Sequence, residues 1–185
     1  MTSLAMKYLE APHSLPNAEG LDGWMFRLRL WHYPAFGKST TWAIYEARRH
    51  GPRKKRMLLR KVVWDRPTDA SRLSDPLVGL KLGFHVEPTV EVQDRPIDDA
   101  EVENRLRILG ELAFPGFLGE GIGIDGETFG IALPMHWQEI EWWGDGPSEW
   151  GELIAWAARF REWLNEVAEL PASQEPWKMP RPRLL

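Results

Sequence analysis

Chemistry needs reactive side chains in useful combinations, and the residue types of this chain narrow the combinations sharply. There is no cysteine, which removes thiolate nucleophiles, disulfides and thiolate zinc sites together. The five histidines, His13, His32, His50, His85 and His136, have no spacing that sets two on one helix face. His32 and His136 fall at a strand end and a strand start, where a hydrogen-bonded structural imidazole is the commoner role. No metal site and no cofactor is expected, no nucleophile-elbow pattern occurs, and carboxylate pairs carry little information in a chain this rich in them.

Two clusters remain. One sets tryptophan beside carboxylate: Trp137, Glu139, Glu141, Trp143 and Asp145, followed by Glu149 and Trp150. Aromatic anchors flanked by charges that steer a basic partner are what a protein-binding surface uses. The other is basic: Arg48, Arg49, Arg53, Lys54, Lys55 and Arg56, continued by Arg60 and Lys61, with no acidic residue among them. Clustered Lys and Arg can neutralise phosphates. The same pattern also serves as a solvated hairpin tip beside a charged strand that resists edge pairing, and no aromatic residue is interleaved in the run to stack on bases.

The elements that must position the first cluster lie in residues 124–169, which hold six of the eleven tryptophans. Asp125-Gly126 between Ile122/Ile124 and Phe129/Ile131 predicts a hairpin over 120–133. A reversal at 133–135 leads to a strand ending at Trp143. Alternation along it puts Ile140 and Trp142 on one face and Trp137, Glu139, Glu141 and Trp143 on the other. After the glycine turn at 144–146, Pro147 opens a helix to 169, with Trp150, Leu153, Ala157, Phe160, Leu164 and Val167 as its buried stripe and Trp156 and Trp163 on its flank.

Upstream, residues 1–23 read as an irregular arm. Trp24 to His32 alternates, with Trp24, Phe26, Leu28 and Leu30 against Met25, Arg27, Arg29 and Trp31, and predicts a half-buried strand. Strands over 40–48 and 57–64 complete an antiparallel meander. Residues 84–92, interrupted by Pro88, read as an edge strand or as two short extended pieces. Asp98 caps a helix over 98–113 whose buried stripe is Val102, Leu106, Leu109 and Ala113. The run Asp65-Arg66-Pro67-Thr68-Asp69-Ala70 echoes Asp94-Arg95-Pro96-Ile97-Asp98-Asp99-Ala100, as if one strand-to-helix turn were used twice. The glycines at 116–126 lead into a hairpin rather than a helix, which argues against a phosphate-cradling loop. Residues 171–185 form a proline-rich tail.

A chain of 185 residues is long enough to bury a core without metal or disulfide, and the expectation is a single α+β domain over 1–185: an antiparallel sheet of meander and hairpins with two main helices packed on it. No apolar segment approaches a membrane span and no signal-peptide pattern opens the chain, so a cytoplasmic protein is expected. The net charge of −4 conceals a division. Residues 1–85 carry 15 basic and 7 acidic side chains, residues 86–170 carry 5 and 19, and residues 171–185 carry 3 and 1. Such a split implies two oppositely charged surfaces, or strands and helices of opposite charge meeting each other.

The run Asp125-Gly126-Glu127-Thr128-Phe129, then Trp142-Trp143-Gly144, then Gly146-Pro147-Ser148-Glu149-Trp150 with Leu153, Trp156 and Phe160, resembles the C-terminal part of small bacterial immunity proteins. These are encoded beside polymorphic or contact-delivered toxins. The resemblance implies a stoichiometric inhibitor without catalysis of its own, whose partner is a cognate toxin domain occluded at its active site or substrate groove. It transfers no inhibitory residue. Two rivals stay open: a nucleic-acid or phosphate-binding module using 48–61, and an enzyme with a pocket under the tryptophan-rich helix, for which a histidine and a carboxylate converging on a cleft would speak.

Overall fold

Residues with β-branched and aromatic side chains at alternate positions pair into one sheet. The computed structural model describes residues 2–15, 21, 24–47, 57–77, 87–113, 126–134 and 138–170. Six strands, β1 Trp24–Pro34, β2 Ser39–Ala47, β3 Met57–Trp64, β4 Val90–Ile97, β5 Glu127–Leu133 and β6 Gln138–Trp143, make an antiparallel sheet in the order β4-β3-β2-β1-β5-β6. Four α-helices are described: α1 Thr2–Glu10, α2 Arg66–Ser74, α3 Asp99–Glu111 and α4 Gly151–Glu169. The class is α+β.

Helices α3 and α4 cover one face of the sheet. Leu28 and Leu30 of β1, Trp42 and Ile44 of β2, Met57 and Leu59 of β3, Ile131 of β5 and Trp142 of β6 meet Val102 and Leu109 of α3 and Leu153, Trp156, Ala157, Phe160 and Leu164 of α4 in the main core. Each fully buried aliphatic or aromatic side chain here contributes about 1.5–3 kcal/mol of transfer free energy. The helix stripes match expectation except at Leu106, which is only half-buried, and at four other residues. Trp156 lies in the core at 4% exposure rather than on the flank. It is held there because its Nε1 donates to the Arg105 carbonyl of α3 at 3.1 Å. Trp150 and Val167 are only half-buried, Trp150 belonging to a 3-10 turn, Ser148–Trp150, before α4 begins. Ala113 lies beyond the end of α3 and is exposed.

The opposite face is covered as well, which the expectation of an irregular N-terminal arm missed. Residues 2–10 are helical, and Ala5 and Leu9 pack on Val62 and Trp64 of β3. Nine residues offer too little periodicity to stand out locally; burial against the sheet supplies the stability. The strand β1 is also not simply half-buried. A bulge between Phe26 and Leu28 shifts the register, so that Phe26 pairs with Tyr45 while Leu28 pairs with Ile44. Trp24 and Phe26 therefore join Ala43, Tyr45 and Leu58 on the α1 side, and Leu28 and Leu30 face α3 and α4. One extra residue in a strand reverses the side-chain parity beyond it.

Two further expectations are corrected. Both sides of β5 are taken, by β1 and β6, and residues 120–125, the other half of the hairpin expected over 120–133, lie outside the described residues. The two Asp-Arg-Pro echoes are not equivalent. Asp65 caps α2, accepting from the Thr68 amide at 3.1 Å, whereas Asp94, Arg95 and Pro96 lie within β4 and the cap of α3 is Asp98. The expected strand at 84–92 is accordingly displaced to Val90–Ile97, and it does form an edge of the sheet.

Candidate functional site at the open edge of the sheet

Of the predicted partner-binding residues, Trp137 and the basic Arg48, Arg49, Arg53, Lys54, Lys55 and Arg56 lie outside the described residues, as do His50, His85 and His136. Of the rest of the basic run, Arg60 is not open to an anion. Arg60 is 1% exposed, and its Nε and a terminal nitrogen bind the two Asp94 oxygens at 2.8 and 2.6 Å while the other nitrogen donates to the Pro12 carbonyl.

Glu139, Glu141, Trp143 and Asp145 are described, and they cluster on β6 and the turn after it. This strand is the last in the sheet, with β5 on one side and no strand on the other among the described residues. The Gly144 amide donates to the Glu127 carbonyl at 2.8 Å. Antiparallel pairs alternate between hydrogen-bonded and non-bonded, and the register runs Phe129 to Trp142 and Ile131 to Ile140. Gln138, Ile140 and Trp142 thus bond inward to β5, and Glu139 and Glu141 turn their backbone N–H and C=O groups outward from the sheet.

The Glu139 and Glu141 side chains project to the α1 side, where a groove of about 730 Å³ runs between α1 and β6. Its floor is Arg29, Trp31 and Tyr33 of β1. Arg29, buried, donates to the Glu10 carbonyl at 3.0 Å and to Glu139 Oε1 at 3.3 Å, with its guanidinium 4.3 Å from the Trp31 ring. The Trp31 indole fits only because residue 130 is glycine. A Cβ there would stand 2.0 Å from its ring. The Tyr33 hydroxyl is pushed up to about 12, first by burial, with the Glu10 and Glu141 carboxylates adding to it. Carboxylates from two separate elements therefore act on one point of the groove.

Trp143 and Asp145 do not share that groove. They line a cleft of about 430 Å³ on the other side of the strand, under α4, with Phe129, Trp142, Ile154 and Arg161. The Trp143 indole lies against Gly126, where a Cβ would come within 2.6 Å of Nε1, so this tryptophan is half structural. At the end of the cleft His32 stacks on Phe129 with ring centroids 4.4 Å apart, and its Nε2 lies 3.0 Å from Glu127 Oε2. Burial pushes the His32 imidazole below its ordinary value against the pull of Glu127, and Arg161 adds to the lowering. Such a pair can hold or pass a proton. Neither partner makes a further side-chain hydrogen bond among the described residues. A second cleft on the same face of the sheet, of about 520 Å³ and between α3 and the β5–β6 edge, is lined by Leu133 and Ile140 with Leu106 and Leu109 of α3.

No protein-family model, curated protein or solved structure matches this chain. Among the described residues no group of three or more His, Asp or Glu is placed to hold a metal ion, and no helix is long and apolar enough to cross a membrane. Sequence reasoning missed Glu10, Arg29, Trp31 and Tyr33 on the groove and Arg161 and Glu127 on the cleft. The signal for Arg29 and Trp31 was present in the alternation of β1. Joining them to β6 required knowing that β5 separates the two strands and carries a glycine at 130.

Proposed function

We propose that this chain is a stoichiometric protein inhibitor, an immunity protein that binds a cognate bacterial toxin domain and occludes its active site or substrate groove. The observation that carries the reading is the placement of Glu139 and Glu141. They stand exposed over an aromatic floor beside an open sheet edge, Glu139 paired with the buried Arg29 and Glu141 in no ion pair among the described residues, where a basic partner could use them. The likeness of residues 124–169 to immunity proteins supports it. Calorimetric titration with the toxin-like domain encoded immediately upstream should give a tight one-to-one complex, and co-expression should abolish that domain's toxicity. Glu141→Lys should weaken the complex at least about tenfold, the cost of reversing a central interfacial charge, with the melting temperature unchanged. A full-affinity complex with Glu141→Lys removes this surface from the reading.

The His32–Glu127 pair favours a second reading, an enzyme acting on the toxin or its product. His32→Gln separates the two. An inhibitor that works by occlusion keeps both binding and protection in this variant. A variant that binds at full affinity but no longer protects cells points to proton chemistry at His32.

A further inference from the structure

Resting on the inhibitor reading, the geometry points to a specific mode of capture. We propose that β6 is completed by an extended segment of the partner, added as a seventh strand, with basic side chains at every second position and apolar side chains between them.

Three observations converge on this. The outward backbone groups of Glu139 and Glu141 have no partner among the described residues, and an unpaired row of N–H and C=O groups is a template for strand addition. The strand contains no proline and no lysine to block it. Its two faces differ in chemistry. On the α1 side the neighbouring side chains are Glu139 and Glu141 over the groove; on the opposite side they are Ile140 and Trp142, flanked by one cleft against α3 and one under α4. An added strand alternates between those faces, so each basic residue would stand beside a carboxylate and each apolar residue beside Ile140 or Trp142.

The charge also selects the occupant. Antiparallel self-pairing of two copies through β6 would set Glu139 and Glu141 of one copy opposite those of the other, and like charges directly opposed are destabilising. A second copy of this chain is disfavoured and a basic heterologous strand is favoured.

The test uses the full chain and a synthetic blocked hexapeptide, Lys-Val-Lys-Ile-Lys-Val, read by NMR-detected amide exchange. Binding should protect the Glu139 and Glu141 amides and leave those of Ile140 and Trp142, already in the ladder, unchanged. The acidic counterpart, Glu-Val-Glu-Ile-Glu-Val, should bind about tenfold more weakly or less, as opposite pairs become like pairs. The preference should invert in the Glu139→Lys, Glu141→Lys double variant. A peptide N-methylated along its pairing edge should lose binding. Absence of binding at millimolar peptide, equal binding of the N-methylated peptide, or binding without protection at 139 and 141 overturns the proposal. The same measurement on a toxin complex keeps the two readings apart. A toxin that binds with these amides unprotected overturns strand addition and leaves the inhibitor standing. Peptide capture with no toxin bound supports the strand site and removes the toxin.

Discussion

The two edges of the sheet are built on opposite plans. At β4 the edge is closed. Thr89, just before it, donates from its amide and hydroxyl to the buried Asp69 at 2.9 and 2.7 Å, and the same carboxylate accepts from Trp64 Nε1 at 2.7 Å. Asp94 clamps Arg60 through two bonds, and Arg95 Nε reaches the Leu170 carbonyl at the end of α4. The Asp65 amide bonds the Thr89 carbonyl, which by register places Pro96 at an outward position. Its missing N–H thus costs no ladder bond and blocks addition of a strand. At β6 there are two carboxylates, of which Glu139 pairs with Arg29, an outward backbone without proline, and clefts on either face. Proteins defend edges they do not use. On this contrast β4 is structural and β6 is kept available, with its carboxylates discouraging self-association while admitting a basic strand.

The contrast can be broken by substitution. The largest effect is expected at β4. Asp94→Ala strands the buried Arg60 guanidinium and should cost about 3–5 kcal/mol in urea unfolding, whereas Glu141→Lys on β6 should stay within about 0.5 kcal/mol of the parent. A large loss from Glu141→Lys would make both edges structural. Next, Gly130→Ala drives a methyl into the Trp31 ring and should cost about 1–3 kcal/mol. A neutral result would show that the floor of the β6 groove is loose.

Smaller effects sharpen the assignment. Proline at Ile140 removes an inward ladder bond and proline at Glu139 does not, so Ile140→Pro should be the more destabilising by about 1 kcal/mol in paired melts. Equal costs would mean that the outward backbone of β6 is already engaged. The smallest effect is in pH. His32 is depressed below 6.5 in the folded chain, so the unfolded state binds the proton first as pH falls. Stability should therefore rise with pH from below the depressed value up to about 6.5 and level off above it. His32→Gln should flatten that slope. An unchanged slope would assign the dependence to other groups.

Much of the fold was legible locally. Alternation along the strand ending at Trp143, the Asp98 cap and the α4 stripe each arise from contacts within one element, where period and capping chemistry leave their mark on neighbouring residues. The N-terminal helix was not legible because its nine residues owe their order to Val62 and Trp64 across the sheet. The bulge at Arg27 hid the true faces of β1, since a period-two reading assumes unbroken parity. At the site, Glu139 and Glu141 stood out by type and spacing, and Arg29 and Tyr33 did not, because nothing near them in the chain indicates that β5 brings them to β6.

What the sequence determined by itself was most of the strands, the two main helices, the absence of thiol chemistry and the carboxylate face of β6, because each depends on residue type and short-range period. Tertiary structure alone decided that β6 lies at an edge while β5 does not, that α1 closes the second face, and that Trp143 and Asp145 serve a different cleft from Glu139 and Glu141. Strand order and the partition of side chains between faces are set by non-local pairing and burial, and those energies have no period along the chain.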